Sequence, residues 1–499
     1  MEWQKFVGVV AYLLILLGIG VAASRRMHDL RDYVVGDKRF GFLSVAFSAR
    51  ATGESAWLLL GLTGMGATMG LGAFWVVLGE LLGVGGAWLL MASRFKRLTD
   101  RYDSITMPDY LESRFRDGTH RIRMVAAFAL VVFVTIYVSA QIDATGQAFE
   151  RFLGWNYFVG AIVGFCVVLL YTTSGGFVAV VWSDVFQGTM MVLGLVALPL
   201  VGLNAVGGWG ALLDSLGQID PGLLRMAPEA TAVGWAGTLA LICIGIGFLG
   251  SPQIFVRFLA LRSEREIPAG AGVAIAWTLL ADSGAVVIGL LGRALLGVEG
   301  EAVLPDLAQF LMPTLIVGLY VAIVLSAIMS TADSLLVLAA SAAVRDWYQQ
   351  VLHPDLPDAS LVRASRNATL ILAALALAVA LSVAILSPSR TVFWFVIFGW
   401  SGIAATFCPT VILSLFWAGF TARGALAAMI TGFLGVPFFK FLAPALPGSL
   451  GPFFGALEEL IPAFLLSALA GMLASVTDAG AQAQVAEAAD DLREAASPN

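Results

Sequence analysis

The second long apolar stretch of this chain, residues 42–68, reads FLSVAFSARATGESAWLLLGLTGMGAT and is interrupted at its centre. The interruption, residues 51–55 (ATGES), places a glycine, two hydroxyls and a carboxylate where a membrane helix is normally apolar. Glycine costs a helix about 1 kcal/mol relative to alanine, and serine and threonine compete with the backbone for hydrogen bonds. Because broken or polar backbone at membrane depth is costly unless it lines a cavity, this stretch predicts a membrane helix that unwinds at an internal site.

Three other apolar stretches carry polar or helix-breaking residues. The seventh stretch is broken at residues 245–252 (GIGFLGSP), the ninth carries residues 330–334 (STADS), and the sixth carries Asp184. Two breaks at corresponding places in two halves of a chain are typical of the substrate and ion sites of secondary transporters. The four features together predict an ion-coupled transporter.

The composition excludes several other classes of protein. Of the 499 residues, 59% are hydrophobic and 12% are charged, whereas a soluble domain carries about 25% charged residues. The sequence has no basic block for nucleic acid, no cluster of cysteines and histidines for zinc, and no catalytic cluster or soluble output domain. We therefore expect a protein of the lipid bilayer that is not an enzyme or a sensor, with no nucleic-acid partner and no evident obligate protein partner.

Apolar stretches long enough to cross a bilayer predict an all-α integral membrane protein with thirteen transmembrane helices. The predicted spans are 5–23, 42–68, 70–92, 124–152, 156–174, 178–204, 232–259, 271–297, 313–342, 367–387, 391–418, 424–444 and 455–476. The first span lacks the basic residues and cleavage site of a signal peptide, so we expect it to be retained. The apolar residues near 449–455 are expected to form an outside loop.

The distribution of lysine and arginine predicts the orientation in the cell membrane. The loops before residue 41 and at 93–123 are rich in both residues, whereas the loop at 205–231 holds only Arg225 and the loop at 298–312 holds none. Since positive charge stays on the cytoplasmic side, the N-terminus is expected outside and the C-terminus in the cytoplasm.

The order of the spans predicts the division of the chain. The predicted parts are an extra helix with its inside loop at 1–40, two five-helix repeats at 41–204 and 205–420, two C-terminal helices at 421–476, and an acidic cytoplasmic tail at 477–499. Each repeat begins with a broken helix, which is typical of an inverted repeat. We expect the tail to be flexible or a frayed helix.

Each polar feature also has a structural explanation. The small residues around Gly53 could form a packing face for a neighbouring helix, and Ser330 and Thr331 could bond to their own helix backbone. Asp184 could be a charge favoured by the dipole at a helix start. Arg50 and Glu54 favour a cavity instead, because they lie four residues apart and can pair at membrane depth.

Three further acids lie within predicted spans. Asp143 follows Tyr137 and Gln141 along the fourth span, which makes it the best candidate of the three for a substrate contact. Glu80 and Asp282 could equally be structural hydrogen-bonding groups. The roles of these two acids and of Arg50 are left open by the sequence.

Several short motifs, in the same order along the chain, resemble those of the sodium/solute symporters, and most of all the bacterial sodium/proline symporters. The motifs are 32–36 (DYVVG), 55–62 (SAWLLLGL), 106–110 (TMPDY) with 114–115 (RF), 171–172 (YT), 175–176 (GG), 181–184 (VWSD), 250–252 (GSP), 257–258 (RF) and 327–331 (AIMST). The similarity extends over residues 30–430. Each motif is short, but their combination is specific to this family.

This resemblance implies a leucine-transporter-like fold of thirteen helices and Na⁺ as the coupling ion. It implies a sodium site between the second and ninth spans, formed by the carbonyls of Ala51, Glu54 and Ala327 and the hydroxyls of Ser330 and Thr331. A second sodium, held in some members, would match Asp184, Ser330, Asp333 and Ser334, with Asp333 replacing a serine. The matching substrate contacts are Ser55, Ala56, Trp57, Tyr137, Ile244, Phe248 and Pro252, to which position along the fourth span adds Gln141 and Asp143.

Three positions depart from the pattern of the proline transporters. Ile244 replaces a tryptophan, Phe248 replaces a tyrosine, and Gly53 replaces an aspartate, with Glu54 one residue later. We therefore expect a sodium-coupled symporter that imports a small organic solute of the proline-like amino-acid class, or another solute bearing an amine or hydroxyl, with proline itself weak or excluded. The alternatives are a symporter for a sugar, carboxylate or amine, a sodium-independent channel, or a proton-coupled carrier in which Asp184 and Asp333 share a proton.

Overall fold

The structure is a computed structural model that describes residues 3–25 and 30–496. Those residues are almost entirely helical, with one isolated β-bridge between Phe40 and Leu261. Arg26 in the first predicted inside loop lies outside the described residues. The side chains of residues 170–175 do too, and they include the 171–172 motif.

Thirteen helical segments of the described chain correspond one for one to the thirteen predicted spans. They are α1 (Trp3–Ser24), α2 (42–69), α3 (70–101), α4 (Arg121–Leu153), α5 (157–175), α6 (Gly176–Val206), α7 (Ala232–Ala260), α8 (Glu264–Leu296), α9 (Thr314–Leu352), α10 (Asp358–Leu386), α11 (Val392–Phe416), α12 (Ala422–Ala445) and α13 (Leu450–Leu457 with Leu460–Val476). The shorter helices are Leu30–Val35, Met107–Phe115, Trp209–Ile219, Val303–Leu311 and Gln482–Ala496.

Helix length explains why some neighbouring segments count as separate spans. In the described residues, ten helices are long and apolar enough to cross a membrane, and a pair bent by 93° makes an eleventh, which is α13. One of the ten, Phe42–Arg101, has 60 residues, about 90 Å at 1.5 Å per residue, and is therefore two spans that meet at Gly70 with φ 62°. The shorter apolar helix Tyr157–Leu169 continues into α6 through Gly176, with φ 54°, and completes the thirteen. The all-α membrane fold is thus confirmed.

The two predicted breaks are both present in the backbone. In α2 the helical geometry fails at Ser55, with φ 40° and ψ −164°. In α7 a tighter helical turn over Ile244–Leu249 ends at Gly250, with φ 153°, and a new helix begins at Pro252. A non-glycine residue at positive φ costs of order 1–3 kcal/mol and is found most often at functional sites.

The broken helices lie within the helical bundle. α9 packs against α1, α2, α4 and α6, and α8 packs against α2, α3 and α6. α11 packs against α4 and against the irregular turn of α7, while α12 and α13 pack on each other. The breaks of α2 and α7 are consequently surrounded by protein, as broken membrane helices require.

One prediction about the C-terminal part of the chain was wrong, and a second was right only in part. The apolar segment expected as an outside loop near 449–455 forms the helix Leu450–Leu457. The tail, expected to be flexible or a frayed helix, does form a helix, Gln482–Ala496, but this helix lies against the segments around Arg101 and Arg116. Its carboxylates pair with those arginines and its apolar residues Leu492 and Ala495 are buried, so the charge pattern that suggested a solvated tail serves docking instead.

Candidate ion and substrate site

The break in α2 leaves backbone groups whose hydrogen bonds are supplied by side chains. The N–H of Ala56 donates to Oε1 of Gln141 on α4 at 3.1 Å, and the indole N–H of Trp57 donates to the carbonyl of Gly53 at 3.1 Å. The carbonyl of Glu54 accepts from the backbone N–H of Trp57. The strained turn is therefore held by residues of α2 itself and of α4.

The hydroxyls of α9 reach across to the backbone of α2 just before this break. Ser330 Oγ donates to the carbonyl of Ala51 at 2.8 Å and to that of Ala327 at 3.2 Å. Thr331 Oγ1 donates to the carbonyl of Thr52 at 2.9 Å. These residues are buried, and hydroxyl and carbonyl oxygens are the ligands that hard cations prefer.

The five predicted ligands of the first sodium are thus only partly brought together. Ala51, Ala327 and Ser330 share hydrogen bonds, and Thr331 lies beside them on Thr52. The carbonyl of Glu54 is instead paired with Trp57 within α2.

Asp184 of α6 lies in the same layer of the bundle, one helical turn closer to the start of α2. Its carboxylate accepts from Ser48 Oγ at 2.6 Å, from Thr52 Oγ1 at 3.3 Å and from the guanidinium of Arg257 at 3.2 Å. Ser334 lies 2.9 Å from Thr52 through their hydroxyls. Asp184 and Ser334, predicted for the second sodium, are therefore joined through Thr52.

Arg257 is a component of this layer to which sequence reasoning assigned no role. It is buried, donates to Ser48 at 3.1 Å and to Thr52 at 2.8 Å, and interacts electrostatically with Asp333. Its guanidinium therefore supplies a fixed positive charge beside Asp184. The available signal was a single arginine in the apolar segment 252–260, which is costly at membrane depth unless it is paired.

All of the predicted substrate contacts except Asp143 come from the α2 break and the elements around it. The phenol of Tyr137 donates to Ser55 Oγ at 3.4 Å, and Gln141 holds the N–H of Ala56. Ile244 and Phe248 come from the irregular turn of α7, and Pro252 opens the helix after it. All nine predicted contacts are buried.

Two aromatic side chains of α11 complete this wall and were also missed. The indole of Trp400 packs on Phe248 with ring centroids 4.9 Å apart and donates its N–H to the carbonyl of Ile244 at 3.0 Å. Phe393 meets Trp57 edge-on at 6.2 Å. No local pattern marks these residues as pocket residues, because aromatic side chains recur throughout residues 393–400 (FWFVIFGW) of α11.

Asp143 lies elsewhere. Its carboxylate accepts from Arg390 Nε at 2.9 Å, from the phenol of Tyr157 at 2.5 Å and from Gln147 at 3.0 Å. Asp143 is two residues beyond Gln141, which turns its side chain about 200° around α4 and away from the α2 break. The structure therefore does not bring Asp143 to the group predicted to contact substrate.

A bilayer-spanning helical bundle whose two halves each begin with a broken helix, and whose breaks meet buried hydroxyls and carboxylates, defines a secondary transporter. The chain belongs to the sodium:solute symporter family, whose model matches residues 33–432. It is therefore a multi-pass membrane symporter.

Two of the similar proteins are transporters of proline. The high-affinity proline transporter PutP of Bacillus subtilis is 34% identical over 476 residues, which cover 94% of this chain and 97% of the relative. The sodium/proline symporter of Escherichia coli is 32% identical over 492 residues, which cover 96% and 94%.

Solved structures share the fold. A Na⁺-coupled sialic acid symporter in a substrate-bound outward-open state superimposes with a TM-score of 0.79 at 20% identity, covering 95% of this chain and 98% of that one. MhsT in complex with L-phenylalanine gives a TM-score of 0.55 at 17% identity, covering 88% and 98%.

Proposed function

We propose that the protein imports a small amino acid or a related amine- or hydroxyl-bearing solute together with Na⁺, by alternating access. The observation that carries this proposal is the contact of the Ser330 and Thr331 hydroxyls with the broken segment of α2. A cation bound there would tie two helices together beside the pocket, so ion binding would favour the conformation that binds solute. The names of the relatives support an amino-acid substrate of the proline-like class.

The first sodium would be held by the carbonyls of Ala51, Glu54 and Ala327 and by the hydroxyls of Ser330 and Thr331. For Glu54 to contribute, its carbonyl must exchange its bond to Trp57 for the ion. A hydroxyl that now donates to a carbonyl can rotate and offer its lone pairs to a cation. Neutral ligands of this kind suit an ion that has to leave again in every cycle.

A second sodium would involve Asp184, Ser330, Asp333 and Ser334. Arg257 bears on this part of the proposal, because its guanidinium already partners Asp184. An ion at this second site would share Asp184 with Arg257. We therefore expect the ion to bind more weakly there than at the first site.

The solute would lie against the α2 break, among Ser55, Ala56, Trp57, Tyr137 and Gln141 on one side and Ile244, Phe248 and Pro252 on the other. Neither Ile244 nor Phe248 carries a polar group, and the indole N–H of Trp400 is used by the carbonyl of Ile244. This wall is consequently apolar, and we expect proline to bind more weakly than another small amino acid.

The sodium gradient is sufficient for accumulation. A tenfold gradient supplies about 1.4 kcal/mol per ion, and a membrane potential of about 100 mV adds about 2.3 kcal/mol. One Na⁺ per neutral solute would then support roughly 500-fold accumulation.

The direction of transport rests on the proposed topology. The N-terminus would lie outside and the C-terminus in the cytoplasm, and the core of the two repeats, 41–204 and 205–420, would rock from an outward-facing to an inward-facing state. The loops rich in arginine support this orientation.

The decisive experiment is thermal stabilisation of the purified protein by a panel of amino acids, amines, sugars and carboxylates, with and without sodium. We expect stabilisation by a small amino acid that depends on sodium, followed by sodium-driven uptake of that solute into proteoliposomes. Uptake driven by a pH gradient in the absence of sodium would contradict the proposal and favour the proton-coupled alternative.

A further inference from the structure

A cluster of three carboxylates and one guanidinium lies on the side of α2 that faces α3 and α8. The carboxylate oxygens of Glu54, Glu80 and Asp282 lie within 4.8 Å of one another. Arg50 pairs with Glu54, four residues later, and its guanidinium lies 3.6 Å from Glu80. All four side chains are at most 1% exposed.

The backbones of α3 and α7 come unusually close together beside this cluster. Gly79 and Gly83 of α3 pack so tightly on the broken segment of α7 that an added Cβ would lie 2.0 Å from the carbonyl of Ile242 and 1.9 Å from that of Gly245. Glu80 is thereby held against α2. Asp282 lies near the midpoint of the helix Ile267–Leu296, so the cluster is far from both membrane surfaces.

The charges of this cluster do not balance. Three ionised carboxylates and one guanidinium leave a net charge of −2, and uncompensated charge in a protein interior costs several kcal/mol per ion. Within the described residues, both oxygens of Glu80 and both of Asp282 lack a hydrogen-bond donor. Buried carboxylates are normally hydrogen-bonded, paired or bound to a cation, whereas among the described residues Glu80 has the 3.6 Å contact with Arg50 but no hydrogen-bond donor, and Asp282 has no hydrogen-bond donor.

The spacing of the oxygens suits a single cation. Oxygen ligands lie about 2.3–2.6 Å from a hard cation such as Ca²⁺, so the ligands of one ion are at most about 5 Å apart, and one oxygen from each of the three carboxylates meets this limit because all three lie within 4.8 Å of one another. The guanidinium of Arg50 lowers the negative charge of the cluster and repels a second positive charge. These conditions favour an ion with one charge over a divalent ion, because a coupling ion must also be released.

We propose that Glu54, Glu80 and Asp282 form an additional monovalent-cation site, filled by Na⁺, that is linked to the solute pocket through Arg50 and Phe248. The proposal rests on the proposed function, since it adds an ion to the same transport cycle. It concerns the side chain of Glu54, whereas the first sodium site would use only its carbonyl.

The link to the pocket is direct. The guanidinium of Arg50 stacks on the ring of Phe248 at 4.8 Å and on that of Trp277 at 5.6 Å. A cation that engages Glu54 competes with Arg50 for this carboxylate and so changes how Arg50 contacts Phe248. Glu54 also directly precedes Ser55, the strained residue of the α2 break. Binding of Na⁺ by the cluster would therefore alter two parts of the solute pocket, namely the side chain of Phe248 and the α2 break at Ser55.

The test is the number of sodium ions bound per purified protein, measured with ²²Na⁺ alone at saturation. Glu80→Gln and Asp282→Asn remove charge but little volume, and each is expected to bind one sodium fewer than the unmodified protein. The matched control is Glu459→Gln, which changes a carboxylate that is equally buried but lies 3.2 Å from Lys440. This control should bind as many ions as the unmodified protein. Monodisperse elution and a preserved melting temperature verify that each variant is folded.

The proposal would be overturned if the folded Glu80→Gln and Asp282→Asn variants bind as much sodium as the unmodified protein. That result is also the one expected if protons, and not sodium, neutralise the cluster. If those variants do not fold, the double variant Ser330→Ala/Thr331→Ala provides the second measurement, because it leaves the cluster intact. Complete loss of sodium binding by this double variant would also overturn the proposal. Sodium-dependent uptake by the unmodified protein tests the proposed function separately, so the two ideas can fail independently.

Discussion

The hydroxyl of Ser330 on α9 donates a 2.8 Å hydrogen bond to the carbonyl of Ala51 on α2, across 279 residues of sequence. This bond joins the broken helix of the first repeat to a helix of the second at the level where α2 loses its regular geometry. The two halves of the transporter are thus linked by groups that can also bind a cation. Transport by alternating access requires such a link to form and break.

Replacing both hydroxyls of α9 tests the proposed first sodium site. The Ser330→Ala/Thr331→Ala protein should need roughly thirtyfold more sodium for half-maximal uptake, since two lost bonds of about 1 kcal/mol each total about 2 kcal/mol and about 1.4 kcal/mol is a factor of ten. Uptake measured against sodium concentration in proteoliposomes gives this value. Ser326→Ala is the matched control, because Ser326 bonds to its own helix at the carbonyl of Ala322. An unchanged sodium dependence in the double variant would contradict the site.

The pair of Asp184 and Arg257 allows structural and ion-binding roles to be separated. Asp184→Asn should lower stability by several kcal/mol, because it removes the carboxylate that is ion-paired with the buried guanidinium of Arg257 and leaves only the interaction with Asp333, and it should also weaken sodium dependence. Adding Arg257→Gln should restore stability but not sodium dependence. Thermal unfolding and sodium-dependent uptake are measured on both variants. Recovery of both properties in the double variant would show that Asp184 serves only to neutralise Arg257.

Asp143 is expected to affect the rate of transport rather than the choice of solute. It is paired with Arg390, Tyr157 and Gln147 and lies away from the α2 break. Asp143→Asn should therefore slow uptake of every accepted solute by a similar factor. The comparison variant is Gln141→Ala, which loses the acceptor for the N–H of Ala56 and should change relative preferences. A selective change in preference in Asp143→Asn would restore Asp143 as a substrate contact.

Docking of the tail helix should depend on the charge of Asp491. Burial raises the pKa of Asp491, but hydrogen bonds from Tyr102 and Arg116 and the charges of Arg101 and Arg116 outweigh it, so this pKa is lower than usual. A carboxylate whose pKa is lowered in the folded state stabilises that state above its unfolded pKa of about 3.9, and this contribution is lost as the pH falls through the lower folded value. At neutral pH the tail is therefore expected to be docked.

The measurement for the tail is limited digestion with trypsin at neutral pH, which cleaves after exposed arginines. Asp491→Asn should accelerate cleavage around Arg101 and Arg116, because it removes their partner. Asp490→Asn should have little effect, since the side chain of Asp490 is 69% exposed and pairs with Arg493 within the tail itself. Equal cleavage rates in the two variants would show that Asp491 does not hold the tail in place.

The sequence predicted those features that depend on local composition. Apolar length located all thirteen helices, and the glycine and hydroxyl residues of α2 located its break. Partners that are distant in the chain could not be predicted, because nothing in a local pattern records them. Asp184 and Arg257 are 73 residues apart, and Asp143 and Arg390 are 247 residues apart. Asp143 was consequently grouped with Gln141 by its position in the chain, although it lies on a different face of α4.

Substitution of the apolar wall tests the proposed preference for solutes other than proline. The resemblance to the proline transporters implies an indole at the position of residue 244 and a phenol at that of residue 248, and each of these rings has a polar group that Ile244 and Phe248 lack. Ile244→Trp with Phe248→Tyr should raise the affinity for proline relative to other amino acids, measured as sodium-dependent stabilisation and competitive uptake.

The limited space around Ile244 determines which of these two substitutions should be tested first. Ile244 is 3% exposed and its carbonyl already accepts from Trp400, so a larger side chain there risks the 1–3 kcal/mol that overpacking typically costs. Phe248→Tyr alone adds only an oxygen and is therefore the safer first variant, with Phe393→Tyr as the control on the opposite aromatic wall. Tight, sodium-dependent binding of proline by the unmodified protein would contradict the preference. Recognition would then rest on Trp57, Tyr137 and the broken backbone of α2, which this chain shares with the pattern of the proline transporters.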